Sequence, residues 1–516
     1  MSEPSHPAPH AGTSIACSTG MVLPASPPSA DISGAASPSL DRRAFLALTG
    51  TAFLPRAAAG RAPRRVIVVG AGLAGLGAAW ELAQAGVDVT VLEARHEPGG
   101  RVRTLRAPFA DGLYAETGAL HIPDSHHLVR QYAEQLGLRL VAVVPRPPGE
   151  LYYVRGRRIV VGGDAVASWP LDLTPEERTL GLTGMWARYV DSALDDIGDP
   201  TTPGWPGPAL ARYDGMTMAE LLRARGASPD AVALLALGYL DLGGDGIDTC
   251  SALSMLRDLA LRRGNPRFWA VAEGNDRLPA AMAARLSGHI HYGQPVIRIE
   301  PGERTASVVT RQDGGTRRWV ADHVICTLPL PVLARLDVAP AFSATRRAAI
   351  AAIAATSVTR MFYQTRTRFW RDQRLPASAI TDLPIKWVVD ATLMQPGKRG
   401  ILDAHLSGTD ARRLAALSES ERFRHVLAHL ERVYPGVGAQ VDAMAAMDWA
   451  ADPWARGAYA WFRPGQLTAL MRPLTGPEGC IHLAGEHLSS ASGWMQGALE
   501  SGLRAARDLL TTQRRL

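Results

Sequence analysis

Residues 65–104 read RVIVVGAGLAGLGAAWELAQAGVDVTVLEARHEPGGRVRT, and their glycine spacing makes them the most informative stretch of the chain. The apolar run Val66–Val69 predicts a strand. Gly70-x-Gly72-x-x-Gly75 predicts a tight turn into a helix carrying Ala79, and VDVTVLE predicts a second strand ending on Glu93. Gly70 permits the turn, Gly72 lets the backbone approach a pyrophosphate, and Gly75 lets the helix pack close to the strand. The N–H groups opening the helix, at Leu73 and Ala74, lack intrahelical partners and sit at the positive end of its dipole, which suits phosphate. Glu93 lies 18 residues beyond Gly75, where a carboxylate can accept hydrogen bonds from an adenosine ribose. A lone G-x-G-x-x-G says little; one between strand and helix, with the acid at that distance, predicts a dinucleotide site.

The residues that follow select the dinucleotide. Ala94-Arg95, then Gly99-Gly100-Arg101 and Thr104, add a second glycine pair and basic groups that a nicotinamide cofactor does not need. A long, bent FAD does need them, because its pyrophosphate and ribityl chain run on past the first helix. Some 400 residues later comes IHLAGEHLSSASGWMQGALESGLRAARDLL, from Ile481 to Leu510. Gly485-Glu486 closes a strand there, and the N-terminus of the helix that begins around Trp494 and Met495 can face an anionic flavin ring. In these two end motifs the chain resembles the flavin amine oxidase family, which holds monoamine oxidases, polyamine oxidases and L-amino-acid oxidases. The resemblance covers nearly everything from about Arg64 to Leu510.

At 516 residues, 47% apolar and 20% charged, the chain has material for two domains with full cores. Its net charge of +6 rests almost wholly on arginine, Lys386 and Lys398 being the lysines. No basic run is interleaved with aromatics, which points away from nucleic acid. No apolar run reaches the roughly 18 residues that span a bilayer. Residues 1–40 are rich in Ser, Pro, Ala and Gly and read as disordered. Then come Asp41-Arg42-Arg43, a short apolar stretch to Leu54, and Ala57-Ala58-Ala59, which look like a twin-arginine export signal. That route suits an enzyme that loads FAD in the cytoplasm and crosses the membrane folded, to the periplasm or the exterior. If the leader is an ordinary amphipathic helix, the protein stays in the cytoplasm. Of Cys17, Cys250, Cys326 and Cys480, the last two lie in apolar strand-like runs and read as buried free thiols. No Cys/His spacing, His126-His127 included, suggests a metal.

The fold class is α/β: a Rossmann-like FAD-binding domain assembled from three segments, an α+β substrate domain and a helical insertion. Residues 1–61 form the leader; 62–145, 271–340 and 446–516 form the FAD-binding domain; 146–270 and 341–445 form the substrate domain. Helical periodicity from about Asp172 to Arg263, broken by TTPGWPGP, marks the insertion that shapes the substrate entrance. The resemblance implies that Gly118 and Ala119 pass along the flavin and that the Val296 backbone contacts adenine.

It also implies a small set of reacting groups. A neutral amine must lie against the flavin so that its α-hydrogen passes as hydride or its equivalent, and two aromatic rings flank it; Tyr459 and Trp494 occupy those positions. Ala458 stands where some monoamine oxidases carry the cysteine that bonds to flavin, so FAD is expected to be noncovalent. Arg360 replaces the family lysine that holds a water near the flavin. It keeps the charge but presents a planar fork, so it either orients water or pairs with a carboxylate. His121 stands where the L-amino-acid oxidase branch has an arginine that clamps the substrate carboxylate, and a mostly neutral imidazole cannot make that fork.

The expected activity is oxidation of a primary or secondary amine to an imine, then to an aldehyde plus ammonia or a smaller amine, with dioxygen reduced to hydrogen peroxide. The alternative is an L-amino-acid oxidase giving a 2-oxo acid. Two further readings stay open: a carbon–carbon dehydrogenase related to carotenoid desaturases, and a flavin-binding protein without turnover. A homodimer is a common outcome in the family.

Overall fold

The computed structural model describes residues 65–515 apart from 145–148, 163–166, 203, 265–266 and 313. The leader and its paired arginines lie outside the described residues. Arg65–Val69 is a β-branched run buried from its second residue onward, as a strand covered on both faces must be. It forms the middle of a five-stranded sheet in the order Ile290–His291, Asp88–Leu92, Arg65–Val69, His323–Cys326, Ile481–Leu483. Every pairing in that sheet is parallel. Strands from three distant stretches of chain therefore build one Rossmann-like layer. Leu73–Gln84 and the long terminal helix Met495–Arg515 pack against each other over it. The backbones approach closely where side chains are smallest: a Cβ on Gly502 would lie 2.0 Å from the Ala74 carbonyl oxygen.

The second layer is a seven-stranded sheet in the order Val441–Asp448, Val358–Thr365, Gly400–Ser407, Trp387–Asp390, Ala379–Thr381, Glu150–Val154, Arg157–Val161. Its central strands, Val358–Thr365 and Gly400–Ser407, are buried along their whole length. Side chains alternate between the faces with period two. Met361, Tyr363, Leu402, Ala404 and Leu406 pack with Val426, Leu430 and Val433 of the helix Glu419–Val433. Arg360, Phe362, Asp403 and His405 take the opposite face.

Two boundaries differ from the sequence reading. The ladder between Val358–Thr365 and Val441–Asp448 runs on to Thr359 and Asp448, so the sheet does not stop at residue 445. Phe268–Val271, placed with the substrate domain up to residue 270, pairs with Leu140–Val143 and Ile122–Pro123. Hydrogen-bonded registers do not follow shifts in composition. The insertion is helical, and its helices start where the sequence caps them: Thr174 with Glu177 and Thr217 with Glu220 form capping boxes, and Ser228 accepts from the Ala231 N–H. Cys250, Cys326 and Cys480 are buried free thiols. Among the described residues no helix is long and apolar enough to cross a membrane, and no cluster of ligands could hold a metal.

The first turn separates two uses of glycine. A Cβ on Gly75 would fall 1.9 Å from the Gly70 carbonyl oxygen, whereas nothing lies within 4 Å of the Cβ position at Gly72. Gly72 has φ −74° and ψ 174°, which alanine adopts freely. Gly72→Ala is therefore expected to leave the melting temperature of the cofactor-free protein unchanged while weakening flavin binding by tenfold or more, equivalent to about 1.4 kcal/mol. Gly75→Ala is expected to destabilise the cofactor-free protein itself by about 1–3 kcal/mol. Thermal unfolding and flavin titration of the two variants check both outcomes.

Candidate active site

Glu93 ends the second parallel strand, and its carboxylate joins the two ends of the cradle. One oxygen accepts from the Ala71 N–H at 2.7 Å and the other from the Arg95 N–H at 2.9 Å. Burial raises its pKa against the pull of these N–H groups and of Arg95. Each oxygen keeps a second lone pair for a ribose hydroxyl. The Arg95 guanidinium is itself fixed by both oxygens of Asp452, at 2.7 and 2.6 Å. Gln294 is tied to the end of the same strand through the Glu93 carbonyl oxygen at 2.8 Å.

A second carboxylate organises the middle of the cavity. Glu486 accepts from Arg101 Nη1 at 2.8 Å, the Ala460 N–H at 3.3 Å, the Ser492 hydroxyl at 3.2 Å and the Gly493 N–H at 2.7 Å. Burial alone would push this carboxyl up, but Arg101, His487 and the Gly493 N–H together hold it below the ordinary glutamate range. Arg101 also donates to the Ala458 carbonyl oxygen at 2.7 Å. Ala458 presents only a methyl group to the cavity, so no covalent bond to a ligand can form there.

The remaining wall is aromatic. Tyr459 donates its hydroxyl to the Leu242 carbonyl oxygen at 2.8 Å, and Trp494 donates Nε1 to Asp258 at 2.6 Å. Asp258 also accepts from the Tyr239 hydroxyl and pairs with Arg262 at 2.6 Å. The Arg262 guanidinium lies 4.0 Å from the centre of the Tyr239 ring, so one carboxylate and one cation fix the aromatic wall from behind. Burial raises the pKa of both Tyr239 and Tyr459, which keeps them protonated. Cys250 also faces the cavity, but burial pushes its thiol up to about 12, so it is no nucleophile at neutral pH.

Arg360 turns its Nε to one oxygen of Asp403 at 2.9 Å and its Nη2 to the other, in a pair that is 3% and 1% exposed. Of the two fates open to this arginine, pairing with a carboxylate is the one adopted, because only a planar fork can engage both oxygens. Burial pushes the Asp403 carboxyl up and Arg360 pulls it back. His121 packs its ring 5.7 Å from Phe268 and 6.5 Å from Trp387. Burial and then Arg360 lower its pKa to about 3, so it is neutral at physiological pH.

One cavity collects Gly70, Gly72, Leu73, Ala74, Glu93, Ala94, Arg95, Gly99, Gly100, Arg101, Gly118, Ala119, His121, Val296, Arg360, Tyr459, Gly485, Glu486, Trp494 and Met495. Gly75 is outside it: the residue touches the Gly70 carbonyl from within the turn and shapes the cradle without lining it. The cavity also brings in Tyr239, Arg257, Asp258, Trp387 and His405, which sequence reasoning did not single out. A usable signal existed for His405, because Asp403 and His405 are the ionisable residues of GILDAHLS, two residues apart on one face. Tyr239, Arg257 and Asp258 sit in the helical insertion, where nothing local separates a wall residue from a core residue.

The fold and cavity define a dinucleotide-dependent oxidoreductase with a substrate chamber joined to its cofactor cradle. The family model described as flavin containing amine oxidoreductase matches residues 73–510, and the chain belongs to that family. A pyridine nucleotide-disulphide oxidoreductase model matches residues 25–114. The chain is 28% identical to an L-amino-acid oxidase of Bothrops moojeni over 458 residues, covering 87% of this chain and 89% of that protein. It is 29% identical to an L-amino-acid oxidase of Vipera ammodytes ammodytes over 458 residues, covering 87% and 93%. Among solved structures, putrescine oxidase bound to putrescine superposes with a TM-score of 0.75 at 26% identity, over 87% of this chain and 99% of that one. Cyclohexylamine oxidase from Brevibacterium oxydans IH-35A shares the fold, with a TM-score of 0.75 at 24% identity over 88% and 100%. The enzyme is an FAD-dependent oxidoreductase, and the residues present fit FAD: the open space before Gly72, the acid at Glu93 and the continuous cavity beyond Arg101 leave room along its length.

Asp403→Asn leaves the Arg360 cation buried without its counter-charge and is expected to cost about 3–5 kcal/mol in chemical denaturation. Replacing both partners, by Arg360→Met with Asp403→Leu, is expected to recover most of that loss. Glu486 titrates with a depressed folded-state pKa, so its stabilising contribution is present above the unfolded-state value and lost as pH falls through the folded one. Glu486→Gln is therefore expected to melt lower than the parent at neutral pH, with the gap narrowing as the solution is acidified below the usual glutamate range.

Proposed function

We propose that this chain oxidises a primary or secondary amine, with dioxygen as the final acceptor. The observation that carries this reading is the charge state of the chamber wall. Arg360 is spent on Asp403, and His121 is neutral, so neither offers a free cation to a substrate carboxylate. Bound FAD supplies the two-electron acceptor for the α-hydrogen. The protein supplies position and dryness. Tyr459 and Trp494 flank the amine, each locked by the hydrogen bond its polar atom makes to Leu242 or Asp258. A neutral amine nitrogen suits such a wall, since a desolvated ammonium would favour losing its proton before it reached the flavin. The amine gives up two electrons and two protons to become an imine. Water hydrolyses the imine to an aldehyde and ammonia or a smaller amine, and dioxygen takes the electrons to hydrogen peroxide. The putrescine and cyclohexylamine oxidases among its structural neighbours support an amine substrate.

A second reading, oxidation of an L-amino acid, is favoured by Arg257. This arginine lines the cavity, is 4% exposed, leaves its Nε unpartnered and donates Nη1 to the Ser489 carbonyl oxygen at 3.4 Å. Burial lowers its pKa to about 10, which still leaves it cationic and able to hold a carboxylate. The L-amino-acid oxidases among its relatives support the same reading. Arg42-Arg43 and the apolar stretch behind them support export of the folded enzyme by the twin-arginine route.

Anaerobic bleaching of the flavin in a stopped-flow instrument separates the two readings. Rapid bleaching by amines, with L-amino acids inert, is expected, and the reverse order would replace the first reading by the second. His121→Arg should then raise bleaching by L-amino acids roughly tenfold or more, the worth of one charge-assisted hydrogen bond. No gain, or a loss, would mean that the carboxylate is held elsewhere.

A further inference from the structure

Arg360, His405 and Trp387 form a row across the seven-stranded sheet. Arg360 and Trp387 are the direct register partners of His405 on its two neighbouring strands. All three point from the same face into the chamber. Arg360 is satisfied by Asp403, and the Trp387 ring lies 6.3 Å from the imidazole. His405 is 6% exposed, and neither of its ring nitrogens has a hydrogen-bond partner among the described residues. A buried imidazole holds one donor and one acceptor, and leaving them unmade is costly, so such a group facing a chamber is built for something that enters it.

We propose that His405 is a specificity-determining residue that hydrogen-bonds an uncharged oxygen, hydroxyl or carbonyl, carried by the amine substrate away from its reacting nitrogen. This rests on the amine oxidase reading and narrows its substrate class. Burial, with Arg360 on one neighbouring strand and then Lys386 just before the other, keeps the imidazole neutral. A second ammonium would enter beside the Arg360 cation and the Lys386 ammonium, the latter already bound to Asp241 at 2.7 Å. A carboxylate would find no free cation there, because Arg360 is spent on Asp403. A hydroxyl can meet one need of the ring, accepting from its N–H or donating to its bare nitrogen, and a carbonyl can accept from the N–H. An alkyl chain of equal length leaves both nitrogens unmade.

The test compares ω-amino alcohols with n-alkylamines of equal chain length, and with α,ω-diamines, on the flavin-loaded enzyme. The parent is expected to bleach at least roughly tenfold more efficiently with the amino alcohol than with the matching alkylamine, chiefly through tighter binding and not through a faster step. The diamine is expected to be the poorest of the three. In His405→Leu the preference should fall to within about twofold, whereas His405→Asn, which keeps a donor and an acceptor, should retain part of it. An unchanged preference in His405→Leu, or none in a parent that amines do reduce, overturns the proposal, and the parent comparison stands even if a variant fails to hold flavin. If no amine reduces the parent, the reaction reading falls by itself. The perturbation of the flavin spectrum on titration with the same compounds then decides the role of His405, equal affinities for alcohol and alkylamine overturning it.

Discussion

The buried carboxylate of Glu486 is the constraint around which the rest is arranged. It lies at the end of the last parallel strand and gathers a guanidinium from the first glycine-rich segment, an N–H from the Ala460–Trp461 strand, and an N–H and a hydroxyl from the loop before the terminal helix. A carboxylate stripped of water is costly unless its lone pairs are filled, and here four donors from three parts of the chain fill them. The two ends of the sequence cannot drift apart without exposing that group. Through Arg101 the same contact fixes the Ala458 carbonyl, and so the segment that carries Tyr459. Cofactor cradle and substrate wall are thus set by one polar junction.

Legibility in the sequence follows the range of the physics. The nucleotide cradle was readable because every part of it is local: a strand, a glycine turn, a helix start and an acid at fixed spacing. The closing motif at Gly485 and Trp494 was readable for the same reason, and resemblance to a family supplied the pairing of the two ends. The state of Arg360 was only half readable. Its fork allowed either a water or a carboxylate partner, but Asp403 lies on another strand, and only the register between the strands makes them neighbours. His405 was overlooked because a lone histidine in an apolar strand is ordinarily a core residue. The roles of Asp258 and Tyr239 depend on how the insertion folds back over the chamber, which spacing along the chain does not encode. Gly75 shows the converse: the motif located it correctly, yet its work is steric and lies inside the turn.

The cavity wall is largely apolar, and the charges that line it are nearly balanced. Its cations and anions are paired with one another or held behind aromatic rings, and its histidines are neutral. Such a wall discriminates by hydrogen bonding and shape, since it has few free charges to offer. Arg257 is the exception, and for that reason the amino-acid reading stays tied to that residue.

The contact between Gly502 and the Ala74 backbone has a consequence for how the protein comes into being. The helix that covers the first nucleotide-binding turn, Met495–Arg515, is synthesised long after that turn. Until it arrives, the N-terminal unit presents an uncovered apolar helix face, and the strand Ile481–Leu483 is missing from its sheet. Contacts between such distant residues form late and slowly. The nucleotide-binding layer is therefore complete only once Ile481–Leu483 has joined its sheet and Met495–Arg515 has covered that helix face.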